Sequence, residues 1–309
     1  MSGGESQKAR ALLSGATGLV GTKLAERLAD VVVLSRDPEG ARRKLRASEA
    51  HAWSPEVGPP PAAALAGLDV AFHLAGEPVA QGRWTAEKKR RIRDSRVLGT
   101  RHLVAGLAAQ ASRPRVLVCA SAVGYYGDRG DEVLDETSAA GQGFLAEVCQ
   151  AWEREVRSAE ALGIRVVSAR IGVVLSRDGG ALAKLLGVFR AGAGGTLAGG
   201  RQWMPWIHLD DLVGLLLHAA ANDGVHGAMN AVSPQPVTNR DFTRALARAV
   251  HRPTLLPVPG FALRLLLGEM SEVLTASARV LPTLAERTGY RFRYPDLESA
   301  LAELVGPKV

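Results

Sequence analysis

The segment Gly15-Ala16-Thr17-Gly18-Leu19-Val20-Gly21 constrains the fold of this chain more than any other. Before it, Ala11-Leu12-Leu13-Ser14 reads as a buried strand; after it, Leu24 and Leu28 recur at the four-residue spacing of one helical face. A second apolar run, Val31-Val32-Val33-Leu34, follows the short link Ala29-Asp30 and closes on Ser35-Arg36. Strand, glycine turn, helix and strand in this order open a parallel α/β sheet. The glycines permit close backbone approach, and the helix start supplies unpaired N–H groups and a positive dipole end. Together these suit a pyrophosphate. The pattern predicts a dinucleotide site built from Gly15, Thr17, Gly18, Leu19, Val20 and Gly21.

The end of the second strand predicts which dinucleotide. A site for NAD commonly places Asp or Glu there, to bond the ribose 2′-hydroxyl. Here Ser35 and Arg36 stand in that place, with Arg42, Arg43 and Lys44 nearby. A guanidinium matches a 2′-phosphate in charge and fork geometry. One charge-assisted hydrogen bond contributes about 1.5–3 kcal/mol, or roughly tenfold to a hundredfold in preference for NADP(H). Asp37 precedes Pro38 and is expected to open a turn rather than reach a ribose.

Strands and helices go on alternating. Residues 69–76 and 116–121 read as strands, 85–110 and 143–162 as helices, and 164–175 contains a further strand. Repeated βα units predict a Rossmann-type doubly wound parallel sheet covered on both faces. Beyond residue 175 the pattern changes. Gly192, Gly194, Gly195, Gly199 and Gly200 make a loop before Trp203 and Trp206, and a helix follows Asp210-Asp211. Thr238-Asn239-Arg240-Asp241 reads as a capping box opening a helix to Val250. Pro253, Pro257 and Pro259 interrupt the chain, and the rest is helical apart from an extended piece at Tyr290 to Tyr294. The expected division is an NADP-binding Rossmann domain at 8–175, completed by 205–232. A smaller, mostly helical substrate lobe is expected from 176–204 and 233–306.

Composition narrows the function classes. The net charge of +7 arises from 38 Lys and Arg against 31 Asp and Glu, but the arginines are scattered with few aromatics between them. The one dense run, Lys88-Lys89-Arg90-Arg91-Ile92-Arg93, reads as a solvated helix face rather than a nucleic-acid patch. Cys119 and Cys149 lie in separate apolar contexts, and the seven histidines show no ligand spacing, so no metal site is expected. No apolar stretch reaches transmembrane length, and Met1 to Arg10 lacks a signal-peptide core. A cytoplasmic protein acting on a small molecule is expected, with no membrane or nucleic-acid partner.

Further marks accumulate along the chain. They include Leu74-Ala75-Gly76-Glu77, Arg83-Trp84, Asp94-Ser95-Arg96, Ser121-Ala122-Val123-Gly124-Tyr125-Tyr126-Gly127 and Trp152-Glu153. Arg170-Ile171-Gly172-Val173-Val174-Leu175, Gly179-Gly180, Trp206-Ile207-His208 and Pro257-Val258-Pro259 complete the set. With the glycine turn, they resemble the extended short-chain dehydrogenases/reductases. More narrowly, they resemble the atypical "epimerase family" branch with a DUF1731-type C-terminal segment. The resemblance implies NADP(H) binding and a C-terminal lobe over the nicotinamide end, and it leaves the substrate undefined. It also implies that Leu74, Ala75, Gly76, Arg96 and Val174 approach the cofactor. Where the family strand usually ends Asn-Leu-Ala-Gly, His73 replaces the Asn.

The usual catalytic pair of such enzymes is Tyr and Lys four apart on a helix, the Lys lowering the tyrosine pKa for proton transfer. Four residues beyond Tyr125, Tyr126, Tyr290 and Tyr294 stand Arg129, Gly130, Tyr294 and Glu298. Aligning Glu153 with the Glu that commonly follows the pair puts Leu145 and Cys149 in its place. Ser121, at a strand's C-terminal edge, is a candidate to bond a substrate oxygen or else caps a turn. Tyr125, with Tyr126 beside it, is a candidate proton donor or else packs. His208 is a general base or a loop anchor, Glu77 a ribose ligand or a turn cap, and Cys149 a reactive or an inert thiol. Trp203 and Trp206 line a pocket or fill a core. Two readings follow: an NADP(H)-dependent oxidoreductase or epimerase acting on a small, sugar-like substrate with non-standard catalytic residues, or a non-catalytic NADP(H)-binding regulatory or cofactor-sensing protein.

Overall fold

The computed structural model describes residues 9–45, 47–254 and 257–306. The polar N-terminal stretch considered above, up to residue 8, lies outside them. Seven strands form the central sheet: β1 (Arg10–Ser14), β2 (Asp30–Ser35), β3 (Glu49–Ala52), β4 (Val70–His73), β5 (Val116–Ala122), β6 (Arg165–Ile171) and β7 (Gly227–Ala231). Their order is β7-β6-β5-β4-β1-β2-β3, and every pair is parallel. The winding reverses between β1 and β4, which register Ala11 against Val70 and Ser14 against His73. A doubly wound sheet opens its ligand crevice at that reversal, outside the carboxyl ends of the strands.

The helices are α1 (Leu19–Ala25), α2 (Pro38–Leu45), α3 (Ala86–Ala108), α4 (Phe144–Arg157), α5 (Gly180–Arg190) and α6 (Leu209–Ala221). Then come α7 (Asn239–Ala249), α8 (Gly260–Leu267), α9 (Glu272–Thr275), α10 (Thr283–Arg287) and α11 (Leu297–Val305). Side chains alternate across each strand, so an unbroken apolar run buries both sheet faces. Leu13, Val31, Val33, Phe72 and Val118 share a core with Leu24 of α1 and Leu212 and Leu216 of α6. Leu12, Val32, Leu34 and Leu117 share the opposite one with Leu103 and Leu107 of α3 and Trp152 and Val156 of α4. A third core gathers α5, α7 and α11 around Trp206 in the smaller, mostly helical C-terminal lobe.

Several local features differ from the sequence expectation, each for a physical reason. Helix α1 ends at Ala25, and Leu28 lies in the turn beyond it, where it still packs on the sheet core. Helix α6 starts at Leu209, so Asp210 and Asp211 fall inside its first turn. The Asp211 carboxylate is spent on the 290–294 segment, accepting from the backbone N–H groups of Arg293 at 2.8 Å and Tyr294 at 2.9 Å. That segment consequently forms no strand. The capping box is present, Thr238 and Asp241 bonding reciprocally at the start of α7. Among the described residues, no helix is long and apolar enough to cross a membrane. The basic run on α3 faces acids: Lys88 and Arg91 meet Glu77, Arg90 meets Glu87, and Lys89 meets Glu269.

Two positions yield stability predictions. Helix α7 closes with Arg252 N–H on the Ala247 carbonyl and His251 N–H on the Arg248 carbonyl, which puts His251 at φ 54°. Glycine occupies this left-handed cap position without steric cost, so His251→Gly should stabilise the protein by about 1 kcal/mol, read from the urea midpoint. His73 is fully buried with Nδ1 2.6 Å from Ser14 Oγ, and its Nε2 has no partner among the described residues. Burial pushes its pKa from 6.5 down to about 4. The unfolded chain therefore takes up this proton first as pH falls. Stability from His73 is whole above about pH 6.5 and declines towards pH 4, by about 3 kcal/mol in all. His73→Asn should flatten that part of the stability–pH profile, measured by urea denaturation between pH 7.5 and 4.5. An unchanged slope would refute the assignment.

Candidate functional site

The glycine turn lies at the crevice between β1 and β4. Gly15 takes φ 70°, and a Cβ there would stand 2.6 Å from the Leu74 carbonyl carbon. At Gly21 a Cβ would stand 2.3 Å from the Gly15 carbonyl oxygen. These two glycines let the turn fold onto itself and press against the exit of β4. Gly18 plays a different part. It is exposed and precedes α1 without any side-chain cap, so the chain passes there as bare backbone. Leu74, Ala75 and Gly76 follow β4 directly beside this turn. Across the crevice the Gly179-Gly180 turn lies against Leu19. A Cβ at Gly180 would also stand 3.5 Å from the Val174 carbonyl oxygen, which brings Val174 to the same place. A turn held tight by Gly15 and Gly21 and passing as bare backbone at Gly18 before the start of α1 fits a pyrophosphate.

The end of β2 carries unspent positive charge. Arg36 is exposed, and no carboxylate among the described residues pairs with it. Asp37 turns the other way: its Oδ1 accepts from Gly40 N–H at 2.9 Å at the start of α2, and its own N–H donates to Ser35 Oγ. Lys44, from the last turn of α2, donates to the Thr17 carbonyl at 2.8 Å and brings a second cation to the glycine turn.

A buried polar network lies at the ends of β5 and β6. Ser121 Oγ donates to Glu153 Oε1 at 2.7 Å. Arg170 grips the same carboxylate with both arms, Nε to Oε1 and Nη2 to Oε2, each at 2.9 Å. Its Nη1 donates to Tyr126 Oη at 2.9 Å, and that phenol donates to Asn230 Oδ1 at 2.7 Å. Burial works against the charge on Arg170, but the Glu153 hydrogen bonds and charge hold its pKa above the ordinary guanidinium value. Burial pushes the Tyr126 phenol up to about 12, so it stays protonated. Tyr125 stands differently: its ring lies under the guanidinium, 3.4 Å from Arg170 Cζ to the centroid, and no partner among the described residues takes its hydroxyl. The turn carrying it rests on α4, where a Cβ at Gly124 would stand 3.2 Å from Leu145 Cβ and 4.0 Å from Cys149 Sγ.

A family model described as the NAD dependent epimerase/dehydratase family matches residues 11–231, and one described as a domain of unknown function, DUF1731, matches residues 258–304. The chain belongs to the NAD dependent epimerase/dehydratase family. It is 42% identical over 292 residues to the Epimerase family protein Mb2239 of Mycobacterium bovis, covering 94% of this chain and 95% of the relative. Epimerase family protein YfhF of Bacillus subtilis is 38% identical over 301 residues, covering 96% and 98%. Among solved structures, the human epimerase family protein SDR39U1 with NADPH superposes at a TM-score of 0.86 with 30% identity, covering 96% of this chain and 99% of that one. A UDP-galactose 4-epimerase, 18% identical with a TM-score of 0.72, shares the fold.

Within this family fold, several candidates resolve into structural roles. His208 caps α6, its Nδ1 accepting from Asp210 N–H, while Nε2 meets Glu303. Glu77 sits between Lys88 and Arg91, which hold its pKa below the usual carboxylate range. Trp206 is core, and Trp203 is half-buried with Arg279 4.6 Å above its ring. Burial pushes the Cys149 thiol up to about 11, which makes it a poor nucleophile at neutral pH. The sequence reading used Glu153 to align the catalytic-pair positions and Arg170 as part of a longer mark, and gave neither a role in the site. A signal for them existed: Arg170 interrupts an apolar strand and Glu153 lies on the buried face of α4. A charge on a buried face requires a partner, and each is the other's.

Removing one member of such a pair leaves the other buried and unpaired. Arg170→Met should therefore cost about 3–5 kcal/mol, whereas Ser121→Ala, losing one bond to a carboxylate, should cost about 1.5–3 kcal/mol. Urea denaturation measures both. Equal midpoints for the two variants would contradict the network as described.

Proposed function

We propose that this chain is an NADP(H)-dependent oxidoreductase or epimerase acting on a small, sugar-like substrate, with non-standard catalytic residues. The observation that carries the reading is the turn held tight by Gly15 and Gly21 beside Arg36, a guanidinium with no acid partner among the described residues. The solved human relative with NADPH supports the same choice. In this reading the backbone of Gly15, Thr17, Gly18, Leu19, Val20 and Gly21 holds the pyrophosphate, and Ser35 and Arg36 hold the 2′-phosphate. Leu74, Ala75, Gly76, Arg96 and Val174 line the crevice. Bound there, the cofactor supplies hydride chemistry. Tyr125 offers a proton from its unengaged hydroxyl. Ser121, whose proton is held by Glu153, turns a lone pair towards a substrate hydroxyl.

A second reading is a cofactor-sensing protein without turnover. Leu145 and Cys149 at the positions of the usual catalytic pair favour it, as does the commitment of the Ser121 proton to Glu153.

Nicotinamide fluorescence titrations test the cofactor. NADPH should bind tighter than NADH, and Arg36→Gln should shrink the preference by roughly tenfold to a hundredfold. Equal affinities in the unaltered protein would sink the NADP(H) assignment. For chemistry, NADPH oxidation is followed against a panel of sugars and their keto derivatives. Tyr125→Phe should lower turnover by about 10²–10⁴ while leaving NADPH affinity intact. No turnover with any member, together with a protein partner whose capture depends on NADP+ against NADPH, would favour the sensing reading.

A further inference from the structure

Helix α7 carries an arginine at every fourth position, Arg240, Arg244 and Arg248, and Arg252 continues the series past its last turn. Four residues rise about 6 Å along a helix, so these exposed side chains form a ladder of cations. Like charges at this spacing repel and cost a helix stability. Among the described residues one carboxylate answers the four: Glu298 of α11 meets Arg248 at 3.2 Å, with the two side chains 69% and 70% exposed. A pair so exposed contributes little. Arg240 and Arg252 donate to the Gly199 and Arg190 carbonyls, which anchors them without neutralising them. Asp241, the acid on the same helix, is spent in the capping box. The basic run of α3 is the contrast, since Lys88, Lys89, Arg90 and Arg91 each meet a carboxylate.

The ladder borders two grooves. Arg244, Arg248, His251 and Arg252 line the first, together with Ala247 and Pro253. Glycine would relieve the left-handed φ at His251, and an imidazole stands in this basic groove instead. The second groove runs between α7 and α11 and is mostly apolar, with Ala245, Ala249, Leu301, Ala302 and Val305 in its lining. Arg248 belongs to both, so cationic and apolar surfaces are continuous there. An apolar groove edged by cations matches a helix that has one apolar face and acids beside it. Among the described residues no aromatic side chain lines either groove to stack a base. Glu298, an acid presented by a helix, shows which partner a rung of the ladder accepts.

We infer that the α7–α11 face docks an acidic amphipathic helix of a partner protein, with apolar side chains in the groove and carboxylates on Arg244, Arg248 and Arg252. Glu298 occupies Arg248 in the free protein and competes with the partner's acids. The inference stands apart from the cofactor reading.

The test uses the intact protein and three fluorescent probes, read by anisotropy at constant ionic strength. The first is a synthetic helical peptide with leucines on one face and glutamate at every fourth position beside them. The second has the same composition with the two faces mixed, and the third is an oligothymidylate of the same charge. The amphipathic peptide should bind saturably and more tightly than either of the others. Arg244→Gln combined with Arg252→Gln should weaken it about tenfold or more. Ala302→Gln, at an exposed position in the apolar groove, should weaken it without altering a charge. Glu298→Gln should tighten it, because Arg248 is then free. Arg90→Gln removes the same charge from α3 and should leave the affinity unchanged. Thermal melts establish that each variant is folded; if the double variant is not, Ala302→Gln and Glu298→Gln carry the comparison. The inference is overturned if the amphipathic peptide does not bind, if the mixed peptide binds equally well, or if Arg90→Gln weakens binding as much as the ladder variants do. Tighter binding of the oligothymidylate, lost with the ladder arginines, would overturn it in favour of a nucleic-acid surface.

Discussion

The ion pair between Glu153 and Arg170 lies at the centre of a buried network that joins the sheet, α4 and the C-terminal segment. It ties α4 to β6, takes the Ser121 proton at the end of β5, and reaches Asn230 of β7 through Tyr126. Asn230 continues the chain, donating to the Leu281 carbonyl through its side chain and to Glu136 through its backbone, while Glu136 also accepts from Leu284 N–H at the start of α10. Sheet and C-terminal segment are thus coupled through buried polar atoms. Burying two charges is favourable only when nearly every donor and acceptor is satisfied. The same requirement makes the geometry around Ser121 and Tyr125 hard to deform, which suits a place where a ligand must be held.

The crevice has two ends built on different principles. At the glycine turn bare backbone forms the surface, and side chains are excluded because a Cβ at Gly15 would meet Leu74 and Ala75 and one at Gly21 would meet Gly15 and Ala16. At the Ser121 and Tyr125 end, side chains do the work, and the cation comes from a neighbouring strand through Arg170. A lysine one helical turn from a tyrosine is the usual arrangement; here an arginine lies flat on the tyrosine ring. Family membership carries the fold and the nicotinamide end with it.

Much of the fold was legible along the chain. Runs such as Val31 to Leu34 and Val116 to Ala120 are apolar at every position because parallel strands are buried on both faces, and that signal is local. The α7 capping box and the turn at Asp37 were legible for the same reason, since their partners lie within a few residues. The end of α1 and the state of residues 290–294 were not. Leu28 keeps the apolar spacing beyond the end of the helix, and residues 290–294 are held by Asp211, about 80 positions away. His208 read in sequence as a base or a loop anchor; it caps α6, its Nδ1 accepting from Asp210 N–H, and its contact with Glu303, 95 positions away, was not legible.

By itself the sequence determined the glycine turn, the two-sided parallel sheet and the presence of a cation, Arg36, at the end of β2. Each depends on residues adjacent in the chain, whose backbone geometry follows from their own steric and apolar character. Only the tertiary structure decided which charged residues meet. Glu153 reaches Arg170 across 17 positions, and Tyr126 reaches Asn230 across 104. Pairing between charges depends on distance in space and on competition among donors, and neither quantity is written in the order of the chain.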